Sequence, residues 1–317
     1  MTMKILKALA SRLVVRKLAI QAPTPTDARH GVCIAAVVKN ESEYIGEWAQ
    51  FHARAGVRKF LIYDDCCEDD TIDALRSTLK PDALTIIPWR QRLKDAKFDR
   101  EIHNQLLAFA HAASNFGGSF RWMAFIDVDE FLIPVGHETL PEALHDLEHA
   151  ASISLPWHMF GFSGHKTKPP GGVIENYLFR HREIFTKHRG LTGTKCIVDP
   201  CRLTALRVHS VECDGSNTTW NDRGEVISPD NDRKQECNSA ARIQLNHYYT
   251  RSEEDLAEKI ARGSNVLSRN ARYGKFVMET VEALESDLVK DTTALDFLSR
   301  VRTPPRKTES QMYGIIQ

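Results

Sequence analysis

From Gly31 onward the apolar positions change period repeatedly. Val32 to Val38 reads VCIAAVV, a continuous run rich in β-branched residues, as expected of a strand covered on both faces. Tyr44, Ile45, Trp48, Phe51 and Ala55 then fall on one helical face, with Asn40 as a cap ahead and Gly56 as the stop. Phe60 to Tyr63 predicts a second strand, Thr71 to Leu79 a short helix between Asp70 and Pro81, and Leu84 to Ile87 a third strand. Glu101 to Ser114 predicts a long helix with Ile102, Leu106, Phe109 and Ala113 inward, and Trp122 to Ile126 a fourth strand. Four alternations of strand and helix predict an α/β fold around a mostly parallel, doubly wound sheet. Ligands of such sheets sit beyond the carboxyl ends of the strands. Here those ends carry Lys39-Asn40-Glu41, Asp64-Asp65, Trp89-Arg90 and Asp127-Val128-Asp129-Glu130.

The pattern loosens after Glu130. Thr139 and Pro141 start another helix with Pro near its first position. Residues 157–240 are rich in Gly, Pro, Asn and Asp, with strand-like pieces at 194–199, 205–211 and 241–249. Ser252-Glu253-Glu254-Asp255 makes an S-x-x-D capping box, with Gly263 as stop, and 275–301 reads as one or two further helices. At the other end, Met1 to Ile20 carries five cations and no acid, with Ile5, Leu6, Leu9, Leu13 and Ile20 near one helical face. Such a helix either lies on an anionic membrane surface or packs its apolar side on the domain. The expected organisation is an amphipathic basic helix at 1–20, a Pro/Thr linker at 21–30, a domain at 31–265 and C-terminal helices and tail at 266–317. Within the domain, a division is expected between 31–135, which carries the strand ends, and 136–265.

Composition narrows the function classes. The 317 residues hold 42 Lys+Arg against 42 Asp+Glu, a balance that removes the basic excess of a nucleic-acid binder. Seven cysteines, an odd number without two C-x-x-C pairs, suit idle thiols in a reducing compartment, and the expected location is cytoplasmic. Neither G-x-G-x-x-G after the first strand nor G-x-x-x-x-G-K-[ST] occurs, which disfavours dinucleotide oxidoreductases and P-loop enzymes.

Asp127 and Asp129 are two apart, so in extended geometry both carboxylates leave one face of the strand. Aimed together they repel unless a cation lies between them, and hard oxygen ligands suit Mg²⁺ or Mn²⁺. The alternative is a strand-end pair capping a neighbouring helix. Asp230-Asn231-Asp232 repeats the spacing without an apolar run ahead of it and is expected to be a solvated turn. Asp64 and Asp65 are placed to accept hydrogen bonds from a ribose or base, or to favour the helix starting at Thr71.

KNE after the first strand, YDD after the second and DVDEF after the fourth, in that order, resemble the GT-A glycosyltransferases, and more narrowly the family 2-like and family 92-like group. Glu47-Trp48 with His52 and Gly56-Val57, Trp157 with Phe160-Gly161, Lys195-Cys196-Ile197-Val198, His209 and Asn246-His247-Tyr248 followed by Ser252, Lys259 and Gly263 extend the resemblance over roughly 32–265. It implies a GT-A, Rossmann-like fold, a nucleotide-diphosphate sugar as donor, with a UDP-sugar favoured, and Mn²⁺ or Mg²⁺. It places Lys39, Asn40 and Glu41 along the nucleotide and Asp65 at base or ribose. It also places Asp127 near ribose and metal, Asp129 as principal metal ligand and His247, or else His209, as a further ligand. Lys195, Lys259 and Arg262 would neutralise the diphosphate. Glu175, Asp214, His165 and Glu130 are the candidate catalytic bases. Trp157, His158, Phe160 and Trp220 would stack on an acceptor, a glycan or glycolipid. The turn DDCCEDDT departs from the Ser and Gly usual there. The competing functions are an Asp-dependent phosphohydrolase, although Phe131 stands where its motif needs Thr or Val, and a catalytically idle sugar- or nucleotide-binding module.

Overall fold

A computed structural model describes residues 14–263 and 270–302. Two short strands, β1 (Val14–Val15) and β2 (Leu18–Ala19), come first. They are followed by β3 (Val32–Val38), α1 (Ile45–Arg54), β4 (Val57–Asp64), α2 (Thr71–Thr78) and β5 (Leu84–Pro88). A small hairpin of β6 (Lys94–Asp95) and β7 (Arg100–Ile102) leads into α3 (Asn104–Phe116), β8 (Trp122–Phe125) and β9 (Glu130–Pro134). The second half runs through α4 (Leu140–Leu144), β10 (Ser152–Met159), α5 (Val173–Asn176), β11 (Phe179–His181) and β12 (Thr194–Val198). Then come β13 (Leu203–Leu206), β14 (Val211–Cys213), β15 (Thr219–Trp220), β16 (Val226–Ile227) and β17 (Ile243–His247). The last elements are α6 (Glu253–Arg262), α7 (Asn270–Glu285), β18 (Leu288–Lys290) and α8 (Thr293–Arg302).

The expected mixed α/β fold is what forms. A ten-stranded sheet runs β16-β15-β10-β12-β8-β3-β4-β5, with β17 and β9 attached alongside β10. The β5-β4-β3-β8 portion is parallel, and Val38 pairs with Asp64 while Ala35 pairs with Phe125. The chain therefore leaves β3, β4 and β8 at one end of the sheet, which is where the site is built. Beyond β8 the pairing turns antiparallel at β12 and β10.

Both faces of β3 are covered, which explains its unbroken apolar run. Ile34, Ala36 and Val38 pack with Trp48 and Phe51 of α1. Cys33 and Ala35 pack on the other face with Leu106 and Phe109 of α3. The larger of these, Ile34, Val38, Leu106 and Phe109 among them, each contribute about 1.5–3 kcal/mol when fully buried. His52 of α1 is wholly buried and serves as a staple: its Nδ1 lies 2.9 Å from the Trp48 carbonyl and its Nε2 accepts the Leu132 N–H at 3.1 Å. Accepting at Nε2 needs a neutral ring, and burial pushes the imidazole down to about 3. Gly56 stops α1 at φ 85°, and a Cβ there would meet Thr139 at 2.9 Å. The capping box forms as expected, with Ser252 and Asp255 exchanging side-chain and backbone hydrogen bonds.

One expectation changes. The basic helix over 1–20 falls partly on residues 1–13, outside the described residues. Val14 to Ile20, in contrast, is extended rather than helical. Val14 is buried and β1 joins β7, β2 joins β13, and Lys17 pairs with Glu212 at 2.6 Å. Strand partners offered by the folded domain outweigh the local helical period. The C-terminal helices, for their part, belong to the same core, since Phe297 of α8 is fully buried 5.2 Å from Phe51. Among the described residues no helix is long and apolar enough to cross a membrane.

Candidate active site

The acidic segment after β8 is a turn, not a strand end in extended geometry. The Glu130 N–H returns to the Asp127 carbonyl at 3.1 Å, and the chain doubles into β9. The same-face argument from strand periodicity therefore fails, although the turn still delivers both carboxylates to one cavity of about 440 Å³. Glu130 locks that turn from behind. It is fully buried, and its carboxylate accepts the Asp127 N–H at 2.8 Å and the Trp157 indole N–H at 2.6 Å. Burial pushes its carboxyl up to about 7, against the pull of Lys195.

Asp127 Oδ2 accepts from Lys195 Nζ at 2.8 Å, and its other oxygen accepts from the Gln105 amide. Burial opposes the Asp127 charge, but the Lys195 ammonium outweighs it and holds the carboxyl below its ordinary range. Asp129 Oδ2 stands 3.3 Å from His247 Nε2 and 3.4 Å from Lys259 Nζ. Burial again opposes ionisation, yet His247 and Lys259 hold this carboxyl well below the usual value. Both aspartates are thus ionised at neutral pH, each with its own cation.

The other sequence candidates divide clearly. Lys39, Glu41, Asp65, Trp157, His209, Lys259 and Arg262 line the cavity with the two aspartates. Asn40 lines an adjoining one and holds the turn after β4, its Oδ1 accepting the Glu68 N–H at 2.9 Å. Asp64 does not reach the cavity: it accepts the Cys67 N–H at 2.8 Å and shapes the turn that presents Asp65. Asp65 is held by Arg92 at 2.9 Å and by the Asn104 amide at 3.3 Å. Lys195 is corrected from phosphate neutraliser to buried counter-ion, because it is 1% exposed and spent on Asp127 and on Glu130 at 3.4 Å.

The candidate bases are also corrected. Asp214 sits in the exposed turn after β14, bound to Arg202 at 2.6 Å. Glu175 lies on the short helix α5, away from the cavity, and His165 binds the Asn176 carbonyl at 3.1 Å beside it. Glu130 has no face on the cavity, so it positions rather than reacts. Of the four acceptor-stacking candidates only Trp157 reaches the site. His158 and Phe160 are buried, and Trp220 packs on the core from β15. The Trp157 ring fits because Gly193 lies beneath it: a Cβ there would come within 1.9 Å of the indole. Gln105, Asn104 and His103, at the start of α3, were not singled out by any motif, yet line the same cavity.

The chemistry of the donors suits a hard divalent cation, since Asp129 and His247 place a carboxylate oxygen and an imidazole nitrogen side by side. Among the described residues no group of three or more His, Cys, Asp and Glu side chains is arranged to hold a metal ion. Asp129 and His247 are the assembled part of the expected set, and Asp127 is engaged by Gln105 and Lys195 instead.

A mixed sheet flanked by helices, with strand-end acids gathered at one cleft, is consistent with an α/β glycosyltransferase fold. The chain belongs to glycosyltransferase family 92, whose model matches residues 28–292. It is 30% identical over 161 residues to a family 92 protein of Ricinus communis, covering 48% of this chain and 26% of the relative. A family 92 protein of Oryza sativa subsp. japonica is 29% identical over 158 residues, 48% of this chain and 25% of its own. A galactan β-1,4-galactosyltransferase of Arabidopsis thaliana is 26% identical over 115 residues, 35% of this chain and 22% of that protein. The match to this chain thus spans about a quarter of the length of these relatives.

Proposed function

We propose that the protein transfers a hexose from a nucleotide-diphosphate sugar, with a UDP-sugar favoured, to a glycan or glycolipid, and that a divalent cation assists. The observation that carries this reading is the shared cavity of Asp127 and Asp129, which Asp65, Asn104, Lys259 and Arg262 also line. That set of residues suits a nucleoside held by Asp65 and a diphosphate held by the cations beside the aspartates. The similarity to a galactan galactosyltransferase supports a hexosyl donor.

Each residue has a definable task. Asp65, fixed by Arg92 and Asn104, presents a carboxylate to ribose hydroxyls or a base N–H. Lys259 and Arg262 offset phosphate charge as it grows on the leaving group. Asp129 and His247 would hold Mn²⁺ or Mg²⁺, which supplies Lewis-acid charge to the leaving diphosphate. Lys195 and Glu130 keep the turn and the charge of Asp127 in place from the dry side. The test is UDP release from a panel of UDP-sugars with Mn²⁺ and acceptor oligosaccharides. Turnover that falls at least ~100-fold in folded Asp129→Asn is the expected result. Release of inorganic phosphate instead of UDP, or no turnover by the wild type on any donor, contradicts the proposal.

A further inference from the structure

Among the described residues the large apolar side chains that stand exposed are Leu93, Phe98, Phe179, Val226, Phe276 and Met278. A single exposed apolar residue is ordinary. Phe179 and Val226 stand alone on β11 and β16, and Phe276 and Met278, two positions apart on α7, leave opposite sides of that helix. Leu93 and Phe98 differ. Both belong to the small hairpin of β6 and β7, where they are 48% and 61% exposed.

Their surroundings are cationic. Residues 90–100 carry Arg90, Arg92, Lys94, Lys97 and Arg100 against Asp95 and Asp99, in a chain whose total charge is zero. Arg92 is engaged by Asp65 at 2.9 Å, and Arg100 is engaged by Asp95. Lys94 meets Asp99 at 3.0 Å, but this pair is largely in water, where such contacts hold little. Arg90 and Lys97 are exposed and have no acidic partner among the described residues. Lys97 Nζ and the Arg100 guanidinium lie 5.2 and 4.9 Å from the centre of the Phe98 ring, so the aromatic tip is collared by positive charge.

The hairpin is held in place. β6 and β7 pair antiparallel, the Ile102 N–H donates to the Leu93 carbonyl at 2.9 Å, and β1 runs parallel along the other side of β7. Leu93 and Phe98 line neither cavity. A fixed turn that projects two apolar side chains among cations suits a fluid anionic surface: the apolar groups sink to the boundary of headgroups and acyl chains, while the stems of Lys and Arg keep their charges at the level of the phosphates.

We propose that the β6–β7 hairpin docks the protein on an anionic lipid bilayer, with Phe98 and Leu93 inserted and Arg90, Lys94 and Lys97 facing the lipid phosphates. Arg92 and Glu101 of the same segment line the cavity that holds Asp127 and Asp129, so docking brings that cavity to the lipid surface. The assignment goes beyond the donor reading and does not depend on it, since it involves neither nucleotide nor metal.

The test is sedimentation of the full chain with phosphatidylcholine vesicles, with and without phosphatidylglycerol, at physiological ionic strength. Pelleting that requires phosphatidylglycerol is expected. Phe98→Ser and Lys97→Glu should each weaken the partition coefficient about tenfold with melting midpoints unchanged, because both side chains are exposed. Phe98→Trp should bind at least as well as the wild type. These variants keep the basic residues ahead of β1, whose share is measured by a combined Lys4→Gln, Lys7→Gln and Arg12→Gln change. No pelleting of the wild type with anionic vesicles, or equal pelleting without phosphatidylglycerol, would overturn the assignment. So would hairpin variants that pellet like the wild type while only the combined change loses binding. Loss in Lys97→Glu with full binding by Phe98→Ser would also overturn it, since that pattern marks contact with any polyanion rather than insertion into lipid.

Discussion

The chain carries the same spaced pair of acids twice, and the two copies share almost nothing else. Asp230 and Asp232 lie exposed in a turn between β16 and β17, with solvent around them. Asp127 and Asp129 follow a strand fixed on both faces, and distant elements reach their turn: Gln105 from α3, Trp157 from β10, Lys195 from β12, His247 from β17 and Lys259 from α6. The difference lies in what surrounds the carboxylates. In water, two acids at this spacing repel weakly and need no remedy. At the end of a buried strand they require cations in fixed places, and that arrangement can then act on a charged leaving group.

The comparison is tested most severely at Lys195. Lys195→Met leaves Glu130 buried without its cation, and unfolding stability measured by urea is expected to fall by about 3 kcal/mol. Lys234→Ala, beside the exposed copy, should change stability by less than about 0.5 kcal/mol. Equal, small effects from both would show that the buried ammonium is not holding the turn. The aspartates themselves give the next contrast. Asp127→Ala should lower sugar transfer at least ~10-fold, whereas Asp230→Ala with Asp232→Ala should leave it within twofold, as read by initial rates at saturating donor.

A smaller effect concerns pH and the frame around the site. His52 and His158 are buried, and burial pushes their rings down to about 3 and about 4. The unfolded chain takes up these protons near pH 6.5 while the folded one refuses them, so their contribution is complete above 6.5 and is lost as pH falls toward 3–4. Glu130 acts with the opposite sign, because its folded carboxyl at about 7 gains its proton before the unfolded one does. With the buried histidines outweighing the carboxyl, urea midpoints are expected to fall as pH drops from 6.5 to about 4.5. Urea midpoints that rise on acidification over that range would contradict the assignment.

Much of the first half, up to β9, was legible because its signals are local. The apolar run of β3, the stop at Gly56 and the acids after β4 and β8 are written in consecutive residues, and the parallel sheet places them together. Gln105 and Asn104 were not legible, since a polar residue at a helix start gains meaning only from what the sheet puts opposite it. Lys195 was seen, but its role was misread, because sequence does not reveal that β12 buries it behind Asp127. Glu175, Asp214 and His165 were drawn from a half of the chain with few periodic elements, and there a bare residue type says little about position. Val14 to Ile20 shows the reverse error, a strong local period overruled by edge strands that need a partner.

The central claim is that the carboxylates of the turn after β8 hold a nucleotide diphosphate together with a divalent cation. Thermal unfolding of the full chain with a panel of nucleoside diphosphates, with and without Mn²⁺, tests it most directly. The account predicts that UDP raises the midpoint only when Mn²⁺ is present, and that Asp129→Asn abolishes the rise. A midpoint unmoved by every diphosphate with metal, or a UDP shift that persists undiminished in Asp129→Asn, would contradict it.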